Sequence, residues 1–92
     1  MDRARQAVAG TLESNDIYIA ISANNNERGN NIVLESIVMK QFGPAILAVI
    51  EACLADASLQ GVEVAAKDRG ALDCTIKARM ETAITRYKSL QP

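Results

Sequence analysis

Ile17, Ile19 and Ile21 alternate with Tyr18, Ala20 and Ser22, a period of two that gives one strand a strongly apolar face. Ahead of it, Gln6 to Leu12 reads as an extended segment ending at Glu13-Ser14-Asn15-Asp16, four residues with turn chemistry. The pair predicts a β-hairpin. Asn24 to Asn31 holds five asparagines and nothing apolar to bury, so a solvated loop is expected there. Alternation returns from Ile32 to Ser36 as a third strand that ends near Ile37. Phe42, Ile46, Val49, Ile50, Cys53 and Leu54 then recur at helical spacing as one stripe, and Gly43-Pro44 marks a break or a first helical turn. Past Gly61, Val62, Val64 and Ala66 form the inner face of a fourth strand, with Asp68-Arg69-Gly70 as its exit turn. The final segment places Leu72, Ile76, Met80, Ala83, Ile84 and Tyr87 on one face of a helix. Asp73, Lys77 and Glu81 form an i, i+4 ladder on another.

The predicted order is β-β-β-α-β-α. Four half-apolar strands and two amphipathic helices bury their faces most simply as an α+β, two-layer arrangement, a four-stranded sheet with both helices on one face. If the strands flanking the first helix are parallel, their connection should be right-handed. At 92 residues and 49% hydrophobic, the chain fits a single domain spanning 1–92.

Composition narrows the chemistry. The formal charge of -1 and an aromatic content of 3% supply neither a phosphate-gripping field nor base-stacking platforms, so nucleic-acid binding is not expected. No uninterrupted apolar run follows Arg3 and Arg5, so neither a secretory signal nor a membrane span is expected, and a cytoplasmic location is. The chain has no histidine, which removes the usual general base and the commonest metal ligand. No catalytic residue and no metal site are predicted. The reading is a non-catalytic protein whose chemistry resides in something attached or docked.

Several polar residues invite a role. Ser14, from local sequence alone, reads as a turn serine bonding its own backbone. Ser36, in Glu35-Ser36-Ile37, faintly resembles the serine motif of four-helix carriers, but reads better as a strand-end or capping serine. Glu13 and Asp16 read as solvated turn carboxylates. Cys74 lies in the first turns of a helix and invites a nucleophile reading, yet with Cys53 it is assigned a packed, structural, reduced role. Asp68-Arg69-Gly70 precedes a helix N-terminus able to hold a phosphate, with a plain turn favoured. Arg79 and Arg86 share a helix face that suits an acidic partner, though such residues are usually just solvated.

Three blocks resemble the citrate lyase acyl carrier (gamma subunit) family. They are Ala7-Val8-Ala9-Gly10-Thr11-Leu12-Glu13-Ser14 with Asp16, then Lys40-Gln41-Phe42-Gly43, then Arg69-Gly70-Ala71-Leu72-Asp73-Cys74 followed by Ala78-Arg79. The resemblance implies that Ser14 is the covalent attachment point for a cofactor, 2'-(5''-phosphoribosyl)-3'-dephospho-CoA, joined by a phosphodiester. Its thiol would carry acetyl and citryl thioesters. Partners are implied too: an alpha subunit (acyl transferase), a beta subunit (citryl lyase) and the transferase that installs the group. Together the subunits would convert citrate to acetate and oxaloacetate. The chain departs from the pattern at Asn15, where glycine is expected, and asparagine is the next best residue for a left-handed turn.

Two other functions compete. The carrier subunit of malonate decarboxylase is similar and uses the same kind of group, although Gly10-Thr11-Leu12-Glu13-Ser14 and Gly70-Ala71-Leu72-Asp73-Cys74 look closer to citrate lyase. The other is an unmodified interaction module, binding a second chain through a sheet edge or helix face.

Overall fold

The computed structural model describes residues 6–24 and 29–90. Strands β1 (Ala7–Gly10), β2 (Ile17–Ala23) and β3 (Asn31–Ser36) precede helix α1 (Met39–Asp56), strand β4 (Val62–Asp68) and helix α2 (Asp73–Ser89), the β-β-β-α-β-α order expected. The sheet order is β1-β2-β4-β3. β1 and β2 form the antiparallel hairpin, β2 pairs antiparallel with β4, and β3 runs parallel to β4. The last pairing makes β3-α1-β4 a crossover unit, which needs a helix to bring the chain back.

Period-two patterning decides which face is covered. Ala7 and Ala9, the three isoleucines of β2, and Val62, Val64 and Ala66 point inward with Ile46, Ile50, Ile76, Met80 and Ile84 of the helices, all in one hydrophobic cluster. The other sheet face carries a paired row, Val8, Ala20, Ala65 and Val33, one residue from each strand.

Helix α1 begins earlier than its apolar stripe suggests. Pro44 lies inside it, just past the first turn, which corrects the expectation that Gly43-Pro44 marks a break or a first helical turn. The bond proline cannot make is the one to the Lys40 carbonyl, and both residues are exposed, which makes the loss tolerable. Gly43 turns inward with Met39 against it, and Phe42, expected in the core, is 54% exposed. Leu72 is a second correction. It is the N-cap of α2 with extended backbone, outside the helical stripe, and is 69% exposed.

The asparagine-rich connection is only partly described, and 25–28 lie outside the described residues. Asn30 is more than a solvated loop residue. Its Nδ2 donates to the Leu59 carbonyl and its Oδ1 accepts from the Val62 amide, tying the start of β3 to the entry of β4. Among the described residues no helix is long and apolar enough to cross a membrane.

Candidate functional site

The register places the end of β1, the start of β2, the ends of β3 and β4 and the N-termini of both helices at one pole of the molecule. The hairpin connection, residues 11–16, sits there. β1 stops at Gly10 because the chain needs φ +90° and close backbone contact at that point: a β-carbon on Gly10 would collide with the Ile17 carbonyl oxygen. The Asp16 amide then donates to the Glu13 carbonyl at 3.2 Å, closing the turn, and Asn15 takes φ 66°, the left-handed conformation expected. The turn is bolted to the β4-α2 connection in both directions. Asn15 N–H donates to the Arg69 carbonyl at 2.8 Å, and Arg69 N–H to the Asp16 carbonyl at 2.9 Å. Arg69 also donates through Nη1 to the Leu12 carbonyl at 3.1 Å.

Asp16 is not the solvated carboxylate expected. Its side chain is 13% exposed and accepts from Arg79 in a two-point fork, Nε at 3.0 Å and Nη2 at 2.8 Å. Thr11 Oγ1 and the Ile17 amide add donors at 2.6 and 2.7 Å. The Arg79 hydrogen bond, then that of Thr11, hold the Asp16 carboxyl far below the usual range, and burial offsets this only in part. Arg79 is thereby committed to the loop. Arg86 donates to the Val8 carbonyl at 2.7 Å, so this pair ties α2 to the hairpin, which corrects their reading as solvated side chains.

Amid this scaffolding Ser14 is exposed, and among the described residues its hydroxyl has no hydrogen-bond partner. Ser36 is the opposite case. Its Oγ donates to Asp68 Oδ2 at 2.7 Å and accepts from the Val38 amide at 3.0 Å, a strand-end capping role. Asp68 itself is 2% exposed and also accepts from the amides of Gly70 and Ala71 at 3.1 and 2.9 Å. The Asp68 carboxylate thus takes up the amides of the turn that precedes α2. Asp68 was missed as a buried residue although it continues the Val62, Val64, Ala66 alternation by one more step. Glu13 is exposed, as expected of a turn carboxylate.

The cysteines divide. Cys53 is buried, and burial pushes its thiol pKa up. Cys74 is exposed at the start of α2, which corrects its assignment to a packed position.

Comparison with known proteins places this geometry. A family model described as the malonate decarboxylase delta subunit (MdcD), an acyl carrier family, matches residues 4–87. The citrate lyase acyl carrier protein of Lacticaseibacillus casei is 51% identical over 86 residues, covering 94% of this chain and 83% of its own. The chain belongs to the acyl carrier family. That of Streptococcus mutans is 48% identical over 91 residues, covering 99% of this chain and 88% of its own. Among solved structures, a Pseudomonas malonate decarboxylase hetero-tetramer in complex with malonate contains a chain of the same fold, with TM-score 0.68, 18% identity and coverage of 89% of this chain and 82% of that one. Members of the acyl carrier family are carrier subunits rather than catalysts, which agrees with a histidine-free chain. Carriers of this kind hold their cargo on a covalently attached prosthetic group.

Proposed function

We propose that this chain is the acyl carrier subunit of citrate lyase, a single domain that bears 2'-(5''-phosphoribosyl)-3'-dephospho-CoA on Ser14. The observation that carries the site is the contrast around Ser14: a hydroxyl without a partner, on a turn held by hydrogen bonds on both sides. An exposed hydroxyl is accessible to a modifying enzyme, and a fixed base lets an arm sweep without disturbing the core.

The neighbouring residues fit the group. Arg69, whose guanidinium reaches the Leu12 carbonyl, has further N–H donors to set beside a phosphodiester on Ser14. When bound, the group supplies a thiol on which acetyl and citryl are carried as thioesters. Ser14 provides the oxygen, and the Asp16–Arg79 fork and Asn15 fix its position. Tethering raises the local concentration of cargo at the active sites of the partners. Those partners are the acyl transferase and citryl lyase subunits, with a transferase for the prosthetic group, in the cytoplasm.

The test is the intact mass and peptide map of protein made in a host that contains the transferase. An adduct is expected on Ser14, absent in Ser14→Ala and retained in Ser36→Ala, although the latter loses about 1 kcal/mol with its hydrogen bond to Asp68. An adduct that persists in Ser14→Ala would sink the assignment. Malonate decarboxylase is the second reading, favoured by the description of the matching family and by the solved hetero-tetramer. Reconstitution with each set of partner subunits separates the two, and citrate cleavage is the expected result.

A further inference from the structure

The three sequence blocks that carry the family resemblance meet in space. Beside the Ser14 turn lies a groove of about 370 Å³ between the first turns of α1 and α2, and Phe42, Ala45, Ile46, Ala71, Leu72 and Asp73 are among the residues lining it. Phe42 comes from the second block, and Ala71, Leu72 and Asp73 from the third. Gly70 joins the groove to the turn: a β-carbon there would lie 3.6 Å from Asn15 Oδ1, one residue from Ser14. Phe42 and Leu72 belong by sequence pattern to the core, yet both are exposed here.

We propose that this groove seats the adenine base of the prosthetic group attached at Ser14, an inference that rests on the attachment reading above. Three features select a base over other parts of the arm. The Phe42 ring offers an aromatic face on which a heteroaromatic base stacks. The aliphatic walls suit its other face, and the carboxylate of Asp73, one of the lining residues, is an acceptor for its exocyclic amine. Order along the arm gives the same answer. From Ser14 the phosphate and first ribose lead to the adenosine, whereas the pantetheine and its thiol lie beyond it and must remain free to enter partner active sites. Tethering presents the base at an effective concentration on the order of millimolar, enough for a weak site to be filled. Seating the base shortens the swinging part of the arm and sets its direction of exit.

The test is NMR of the protein before and after attachment, with the adduct first mapped to Ser14 by mass. Attachment should shift the resonances of Phe42, Ala45, Ala71 and Leu72 and leave those of Ala55 and Leu59, at the opposite pole, unmoved. Adenine H2 and H8 should show NOEs to the Phe42 ring and the Leu72 methyls. Phe42→Ala should abolish these NOEs and return H2 and H8 towards their positions in free dephospho-CoA, with the adduct still on Ser14. Adenine signals at free-nucleotide positions with an undisturbed groove would overturn the proposal. So would groove shifts that arise only when a partner subunit is added, since these assign the groove to protein docking. An adduct on another residue removes the attachment reading and this inference together; an adduct on Ser14 without groove contacts removes this inference alone.

Discussion

Asn15 shows what one backbone angle decides. At φ 66° an asparagine is tolerated because its short amide side chain lives with the left-handed region, and its N–H is needed by Arg69 whatever the side chain. Asn15→Gly should therefore be neutral or slightly stabilising. Asn15→Val should lose about 1 to 2 kcal/mol, the cost of that conformation for a branched residue. Urea denaturation of both variants checks this, and equal stability would discredit the account of the turn. Gly10 is stricter, combining φ +90° with a β-carbon collision against the Ile17 carbonyl. Gly10→Ala should cost about 3 kcal/mol or more, because neither the strain nor the overlap can relax without moving β2. The need for a left-handed residue near position 15 was legible from the turn composition. The collision at Gly10 was not, since it depends on the packing of two strands.

Elements were legible to the extent that periodicity alone defined them. The order and type of every element match its alternation or stripe, because one buried face suffices to fix an element in a two-layer fold. Errors gathered at helix starts, where Phe42 and Leu72 share the spacing of the core but are exposed. A stripe cannot reveal that Gly43 takes the inward place near the start of α1, or that Leu72 is extended backbone ahead of α2. Paired substitutions at and just ahead of α2 separate a buried position from an exposed one. Ile76→Ala should cost about 2 to 5 kcal/mol as a fully buried aliphatic, whereas Leu72→Ala should cost under about 0.5 kcal/mol. The join between β4 and α2 follows a different logic. Asp68→Ala would leave the Ser36 hydroxyl and the Gly70 and Ala71 amides without their acceptor, and a loss of about 2 to 5 kcal/mol is expected in denaturant titrations. A loss below 1 kcal/mol would mean that water replaces the carboxylate there.

At the scale of the whole molecule the decisive contact joins residues 63 apart in sequence, Asp16 at the hairpin tip and Arg79 on α2. No spacing rule links them, and the topology that brings the three resemblance blocks to one pole was equally invisible until the strands were ordered. The Arg79 and Thr11 hydrogen bonds favour the ionised form of Asp16, so its pKa is lower in the folded chain than in the unfolded one, where it is about 3.9. A lowered folded pKa gives stability that is fully present above the unfolded value. It is lost as pH falls through that value towards the folded one, because the unfolded chain then binds a proton that the native pair excludes. Asp16→Asn keeps an acceptor for Thr11 but carries no charge for Arg79 and cannot titrate. The difference in urea midpoint between parent and Asp16→Asn should therefore be the same at pH 7 and pH 5, then shrink steadily towards pH 2. Added salt should narrow the gap at pH 7 as well, since the Arg79 side is open to solvent. A gap that stays constant down to pH 2 would show that the fork contributes nothing to the folded state. Attachment provides an independent check, because a turn loosened in Asp16→Asn should still carry its adduct on Ser14, only more slowly, if the pair positions the serine without touching the chemistry.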